Sequence, residues 1–289
     1  MAKNIDQYAQ EWQKNAEADA LWAILADSKY YGRKWDETEF FATGDEEIGR
    51  VFGFIKERGI EVLSGSFLDF GCGVGRNSKA LRKRIKGGFG VDIAEKMIEL
   101  AQTYVKGVKF MVNKTGSLDQ FTNDSIDFIY SHIVLQHIPN EYQRHYIEEF
   151  LRIMKPGGLA ILQIPVGIIN PPFVNRVKEE IKQLVPFLVI LKRWLIPRKH
   201  FHYEFKLEMN PLPDGVVRII CEKYGCVIEA APATHSCEAD HNGKVEFYDM
   251  HDHKHMLKES GLPNRYLSCM YFIRKYDGAK PTIQEILIT

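Results

Sequence analysis

Short apolar runs alternate along the chain with longer stretches in which apolar residues recur every three or four positions. Residues 67–70, 89–92, 109–112, 126–131, 159–164, 226–230 and 265–275 form strand-length runs rich in β-branched and aromatic side chains. Between them, Ile48, Val51, Phe52 and Ile55 share one helical face. So do Val74, Leu81 and Ile85, then Tyr142, Tyr146, Ile147, Phe150, Leu151 and Met154, and later Val217, Ile220, Cys221 and Tyr224. This alternation predicts parallel strands buried on both faces and joined by crossover helices. Thr43-x-x-Glu46 reads as a capping box opening the first of these helices, and Gly59 as its end. Gly87-Gly88 and Lys155-Pro156-Gly157-Gly158 read as helix stops, and Asp214 as a cap.

One junction stands out. Phe67-Leu68-Asp69-Phe70 runs into Gly71-Cys72-Gly73-Val74-Gly75-Arg76, with glycine at every second position. Glycine suits a loop that bends sharply and lets a ligand reach the backbone. The helix that follows turns its free N–H groups to the same place. A dinucleotide fingerprint needs its third glycine one residue later, where Arg76 stands. Asp69, two residues before the first glycine, would repel a phosphate and suits a cation. Asp92 ends the second run 21 residues after Gly71, near the offset at which an acid meets a ribose in nucleotide-binding βαβ units. Asp92 could equally cap the helix from Ala94, and both roles can hold together. Ile93 and Met97 are placed to sandwich a flat base or to serve as ordinary core.

The 289 residues, 45% of them hydrophobic, suffice for one large domain. Lys+Arg and Asp+Glu both number 38, a balance that does not favour nucleic acid or an anionic membrane. The basic run at Lys79, Arg82, Lys83, Arg84 and Lys86 then reads as a solvated helix face. Five scattered cysteines without a C-x-x-C pair suit a reduced, cytoplasmic setting. The first residues lack a signal-peptide core, and the most apolar run, Leu184 to Leu191, is too short to span a bilayer.

Asp69-x-Gly71-x-Gly73-x-Gly75 resembles the first motif of class I S-adenosylmethionine (SAM)-dependent methyltransferases. The donor carries an ammonium and a sulfonium and no phosphate. Ser131 and the following His132-Ile133-Val134-Leu135-Gln136-His137-Ile138-Pro139 resemble that family's fourth motif, and the Lys-Pro-Gly-Gly turn its lead into the fifth strand. Glu39-Phe40-Phe41-Ala42-Thr43-Gly44 resembles the lead-in of a bacterial and archaeal subgroup. The resemblance covers residues 40–165 well and 205–275 more loosely. It implies an α/β three-layer sandwich around a seven-strand, mostly parallel sheet whose last strand is antiparallel. It also implies that Asp69, Gly71, Cys72, Gly73 and Gly75 hold the methionine end of SAM and Asp92 the ribose. Many family members carry an adenine-binding acid near Lys114; its absence leaves backbone groups at Gly116 and Ser117 for that task. His137, six residues past Ser131, takes the acceptor's proton in some relatives, or bonds a backbone carbonyl. His132 is the weaker choice.

The expected organisation is one domain: a helical lid over 1–59 whose aromatics enclose the donor, a SAM-binding core over 60–165, a helical substrate cap over 166–213, the end of the sheet over 214–276, and a tail over 277–289. The cap's apolar and basic mixture also suits a homodimer contact or a membrane surface. His235, His241, His251, His253 and His255 lie near Asp240, Asp249 and Asp252 without tight ligand spacing, so no metal is assigned. The resulting reading is an enzyme moving a methyl group to an oxygen or nitrogen of a small molecule or glycan. A lipid C-methylating or cyclopropane-forming relative is an alternative, but such enzymes carry an acid where Gln136 stands. A SAM-binding regulator without turnover is another, and a nicotinamide oxidoreductase is disfavoured by Asp69 and Gly75.

Overall fold

A computed structural model describes residues 4–169, 209–234, 245–252 and 265–276. Most of the expected cap, His235, Asp240, His241, His253 and His255, and the tail lie outside the described residues. Strands β1 (Ser66–Phe70), β2 (Gly87–Asp92), β3 (Lys109–Val112), β4 (Ile126–Ser131) and β5 (Met154–Ile169) pair in parallel. Strands β6 (Cys226–Ala230) and β8 (Arg265–Lys275) complete the order β3-β2-β1-β4-β5-β8-β6, with β8 antiparallel to both its neighbours. This is the expected arrangement, extended by a two-residue strand β7 (Ala233–Thr234) on β8. No helix among the described residues is long and apolar enough to cross a membrane.

The helices are α1 (Ile5–Ile24), α2 (Glu37–Glu57), α3 (Arg76–Arg82), α4 (Glu95–Tyr104), α5 (Asn140–Ile153) and α6 (Asp214–Lys223). Side chains alternate across each strand, so the sheet feeds two cores. Phe67, Phe128, Tyr130 and Ile161 pack with Ile48, Val51 and Ile55 of α2 and Leu81 of α3. Leu68, Phe70, Ile129 and Leu162 pack with Tyr146, Ile147 and Phe150 of α5 and Val217 of α6. A third cluster joins α1 and α4 around Met97, Ile98 and Trp35.

Three boundaries differ from the sequence expectation. Asp36 caps α2 by accepting from Glu39 N at 3.0 Å, so that helix starts before Thr43, whose hydroxyl instead donates to Phe40 O. Gly87 and Gly88 belong to β2 rather than to a helix stop, because a side chain at Gly88 would strike the Phe67 ring at 2.3 Å. Lys155 to Gly158 lie within β5, which starts at Met154 and runs on to Ile169, beyond the expected start of the cap at 166. The chain re-enters the described region against the sheet end, with Asn210 N donating to Gln136 O and Leu212 N to Pro165 O.

The basic face of α3 is paired with the N-terminal layer. Lys83 bonds Asp45 at 2.6 Å, and the Lys79 ammonium lies 4.3 Å over the Phe41 ring. The approach of α2 to α3 depends on Gly44, where an added Cβ would lie 2.6 Å from the Arg76 carbonyl oxygen. Gly44→Ala should therefore lower stability by about 1–3 kcal/mol in thermal or urea unfolding. Gly49→Ala on the same helix, whose added carbon meets only the Arg84 guanidinium at 3.9 Å, should be neutral or stabilising.

Candidate methyl-donor site

The loop between β1 and α3 holds three glycines in the left-handed region, with φ of +72° at Gly71, +51° at Gly73 and +85° at Gly75. Such angles strain any residue with a Cβ, which accounts for glycine at alternate positions. Gly71 N and Cys72 N both donate to Val91 O, fastening the loop to the end of β2. The three glycines face different surroundings. An added carbon at Gly71 would strike Val134, at Gly73 the side chain of Ile24, and at Gly75 the core residues Val105 and Phe110. Gly71 and Gly73 thus form a cradle covered by Val134 and Ile24, and Gly75 lets the loop close on the core. Cys72 is buried, its sulfur directed towards Gly90.

Asp92 closes one end of the cradle. Its carboxylate accepts from Gly73 N at 2.9 Å and from Ala94 N at 3.0 Å. It therefore supports the start of α4 and also braces the glycine loop, a bond the sequence did not suggest. Ile93 and Met97 flank it, Met97 lying fully in the α1–α4 cluster. Beyond β3, Asn113 Nδ2 donates to Ser117 O, Ser117 Oγ donates to Asp119, and Gly116 packs under the Tyr142 ring. Lys114 turns away to Glu95 at 2.7 Å. Ser131 is buried and donates to Phe70 O, joining the ends of β4 and β1.

Asp69 lies at the other end of the cradle, beside Tyr130 in the strand register. It is buried and accepts from Ser78 Oγ at 2.6 Å. Burial pushes its carboxyl up to about 7, against the opposing pull of the Ser78 bond. The nearby Glu47 charge adds to the rise, while Arg76 offsets part of it. The site can therefore take a cation, which would restore the ionised form.

Sequence reasoning missed the group beneath Asp69. Glu47 of α2 is fully buried, with Arg76 Nη2 at 2.6 Å, Asn77 Nδ2 at 2.7 Å and Tyr130 Oη at 2.7 Å. Burial alone would raise its carboxyl, but the Arg76 charge, the His132 ring and the Tyr130 hydroxyl hold it down at about 2. The signal was an acid inside the apolar stripe of α2, between Gly44 and Ile48. His137 lies inside the structure, its Nε2 2.9 Å from the Gln136 amide nitrogen and its ring centroid 5.8 Å from that of Trp12.

Residues 68–162 match the family described as a methyltransferase domain. That segment is thus similar to methyltransferase domains. An uncharacterised methyltransferase from Mycobacterium marinum is 31% identical over 116 residues, 40% of this chain and 45% of that protein. A trans-aconitate 2-methyltransferase from Enterobacter is 25% identical over 143 residues, 48% of this chain and 54% of that protein. The chain thus spans about half the length of the curated relatives it matches. Magnesium protoporphyrin IX methyltransferase from Synechocystis PCC 6803, solved with bound S-adenosylhomocysteine (SAH), shares the fold with a TM-score of 0.53 at 17% identity. That similarity covers 94% of this chain and 100% of the other. The left-handed glycine cradle, with the buried Asp69 at one end and the half-buried Asp92 at the other, fits the cofactor of such domains.

The Asp69 carboxyl is neutral below about pH 7 and ionised above it. SAM affinity of the methyltransferase domain should thus rise on the order of tenfold from about pH 6 to about pH 8. Calorimetric titration at several pH values reads this, and Asp69→Asn should flatten the dependence.

Proposed function

We propose that this protein transfers a methyl group from SAM to an oxygen or nitrogen atom of a small molecule or glycan. The observation that supports this best is the cradle itself: two left-handed glycines between the buried Asp69 and the half-buried Asp92 carboxylates. SAM, when bound, supplies a methyl group on a positively charged sulfur. Asp69, Gly71, Cys72 and Gly73 would face its methionine end, with Gly75 shaping the loop and Ser131 tying the strand ends together. Asp92 would meet the ribose hydroxyls, Ile93 and Met97 the faces of the adenine, and Gly116 and Ser117 its edge. Because charge on sulfur disappears as the methyl moves, the chain's task is alignment and exclusion of water. Alignment alone can contribute roughly 7–11 kcal/mol.

The residues over the cradle suit that task. Ile24, at the end of α1, stands over Gly73, and Trp12 of the same helix lies beside His137. The segment 1–59 would then act as a lid and the segment 166–213 as a cap over the acceptor. A hydroxyl or ammonium acceptor must give up a proton, and by spacing from Ser131 alone His137 would be the histidine to take it.

Two measurements test the reading. Asp92→Ala should weaken SAM binding at least about tenfold, since it removes a charged acceptor of hydrogen bonds; unchanged affinity would show that the ribose lies elsewhere. SAH release should then be followed with four probe acceptors: a phenol, an alkyl amine, a hydroxy acid and a methyl glycoside. Release with at least one is expected. Tight SAM binding without release from any would instead favour a regulator.

A further inference from the structure

His132 and Glu47 make a second buried pair, one that holding the donor does not require. Their side chains are 0% and 1% exposed, and His132 Nδ1 stands 2.8 Å from Glu47 Oε1. Nδ1 has only the Glu47 carboxylate beside it, and the buried Nε2 has no hydrogen-bond partner. An unsatisfied buried polar atom costs about 1–3 kcal/mol. That cost falls just past the carboxyl end of a central strand, the end at which open α/β sheets bind ligands.

The backbone there is strained as well. Ile133 has φ of +58°, a conformation that β-branched residues avoid, and its N–H is held by Gln163 Oε1 at 3.0 Å. The strand therefore leaves the sheet sharply, directly after His132. Glu47 is in turn fastened by Arg76 and Asn77, the first two residues after the glycine loop. It also lines a cavity of about 280 Å³ together with Tyr30, Trp35 and Thr43. By contrast, His137 Nε2 is close to the amide of its own neighbour Gln136.

We propose that His132, rather than His137, is the base that takes the acceptor's proton and that Glu47 is its positioning residue, the acceptor being a hydroxyl- or ammonium-bearing small molecule. This rests on the methyl-transfer reading above and assigns its proton step. A carboxylate beside Nδ1 keeps the ring proton on that nitrogen and leaves the Nε2 lone pair free. The acceptor's O–H or N–H bond then breaks towards Nε2, and the acceptor's electron pair forms the new bond to the methyl carbon. The sulfur–methyl bond breaks with its pair to sulfur, and the proton later leaves the imidazole for solvent. Arg76, Asp69 and Tyr130 are the other titratable or charged groups gathered around the pair. Asp69 ionises near neutrality, so a rate–pH curve would carry the Asp69 titration and would not isolate the base.

The deciding measurement is therefore nitrogen-resolved imidazole NMR of the full chain loaded with SAH, with His132→Gln used to assign the signal. The expected result is a proton on Nδ1 and a bare Nε2, a preference lost in Glu47→Gln and kept in Glu47→Asp. With the fastest of the four probe acceptors, His132→Gln should lower kcat at least about 100-fold. Its acceptor KM and its SAM affinity should stay within about threefold, a split that mere loss of structure would not give. A proton resident on Nε2 in the wild-type chain, or a kcat of His132→Gln within threefold of wild type, overturns the assignment. Should Glu47→Gln fail to fold because Arg76 is stranded, the wild-type tautomer and His132→Gln decide alone. Failure of the wild-type chain to bind SAM overturns the methyl-transfer reading and this assignment together. SAM bound with the proton on Nε2 overturns the assignment only.

Discussion

Glu47 is a carboxylate taken out of water, bonded by Arg76 and Asn77 of α3 and Tyr130 of β4, with the His132 ring just beyond that strand 2.8 Å away. Removing one partner of such a buried pair costs about 3–5 kcal/mol, because the other charge is left uncompensated. The consequence is mechanical. The helix that precedes the sheet cannot shift without disturbing the first turn after the glycine loop. The donor cradle, the end of β4 and the N-terminal layer therefore hold one another in register. Gly44 permits the approach that makes this possible, since Arg76 and its carbonyl lie directly beneath it.

Much of this arrangement could be read from residue order. Phe67, Leu68 and Phe70 are apolar on both faces because β1 lies between two helical layers, and burial on both faces leaves a continuous apolar run. The glycine loop was legible because positive φ leaves a compositional mark. Asp92 was legible because its distance from that loop is set by one βαβ unit. What stayed hidden were partnerships across long sequence separations. An acid in the stripe of α2 is visible, but nothing local pairs Glu47 with Arg76, 29 positions on. His132 and His137 look alike in sequence, and only the packing separates the ring beside a buried carboxylate from the one beside an amide. The start of α2 was misplaced because Thr43-x-x-Glu46 imitates a cap, while Asp36 offers the same chemistry earlier.

Fold and chemistry divide here in the usual way for this architecture, in which one scaffold hosts many substrates. The sheet and its glycine loop present the donor surface. The parts that would meet an acceptor are the N-terminal layer and the region past β5, where a side chain does not follow from strand periodicity. Ser78 illustrates the point on a small scale: it is a buried hydroxyl on α3, and its only visible purpose is the bond to Asp69.

Helix α1 is interrupted at Asp19, where the backbone leaves helical angles. The Asp19 carboxylate accepts from Trp22 N and from Arg33 N, so it serves as the start of a new helical turn and as an anchor for the following loop. Upstream of this joint, Gln13 is bonded to Lys96 N on α4, and downstream Ile24 rests on Gly73. The two halves of α1 are thus anchored separately, the forward half to the start of α4 and the end of the helix over the glycine loop, with Asp19 as the joint between two independent attachments.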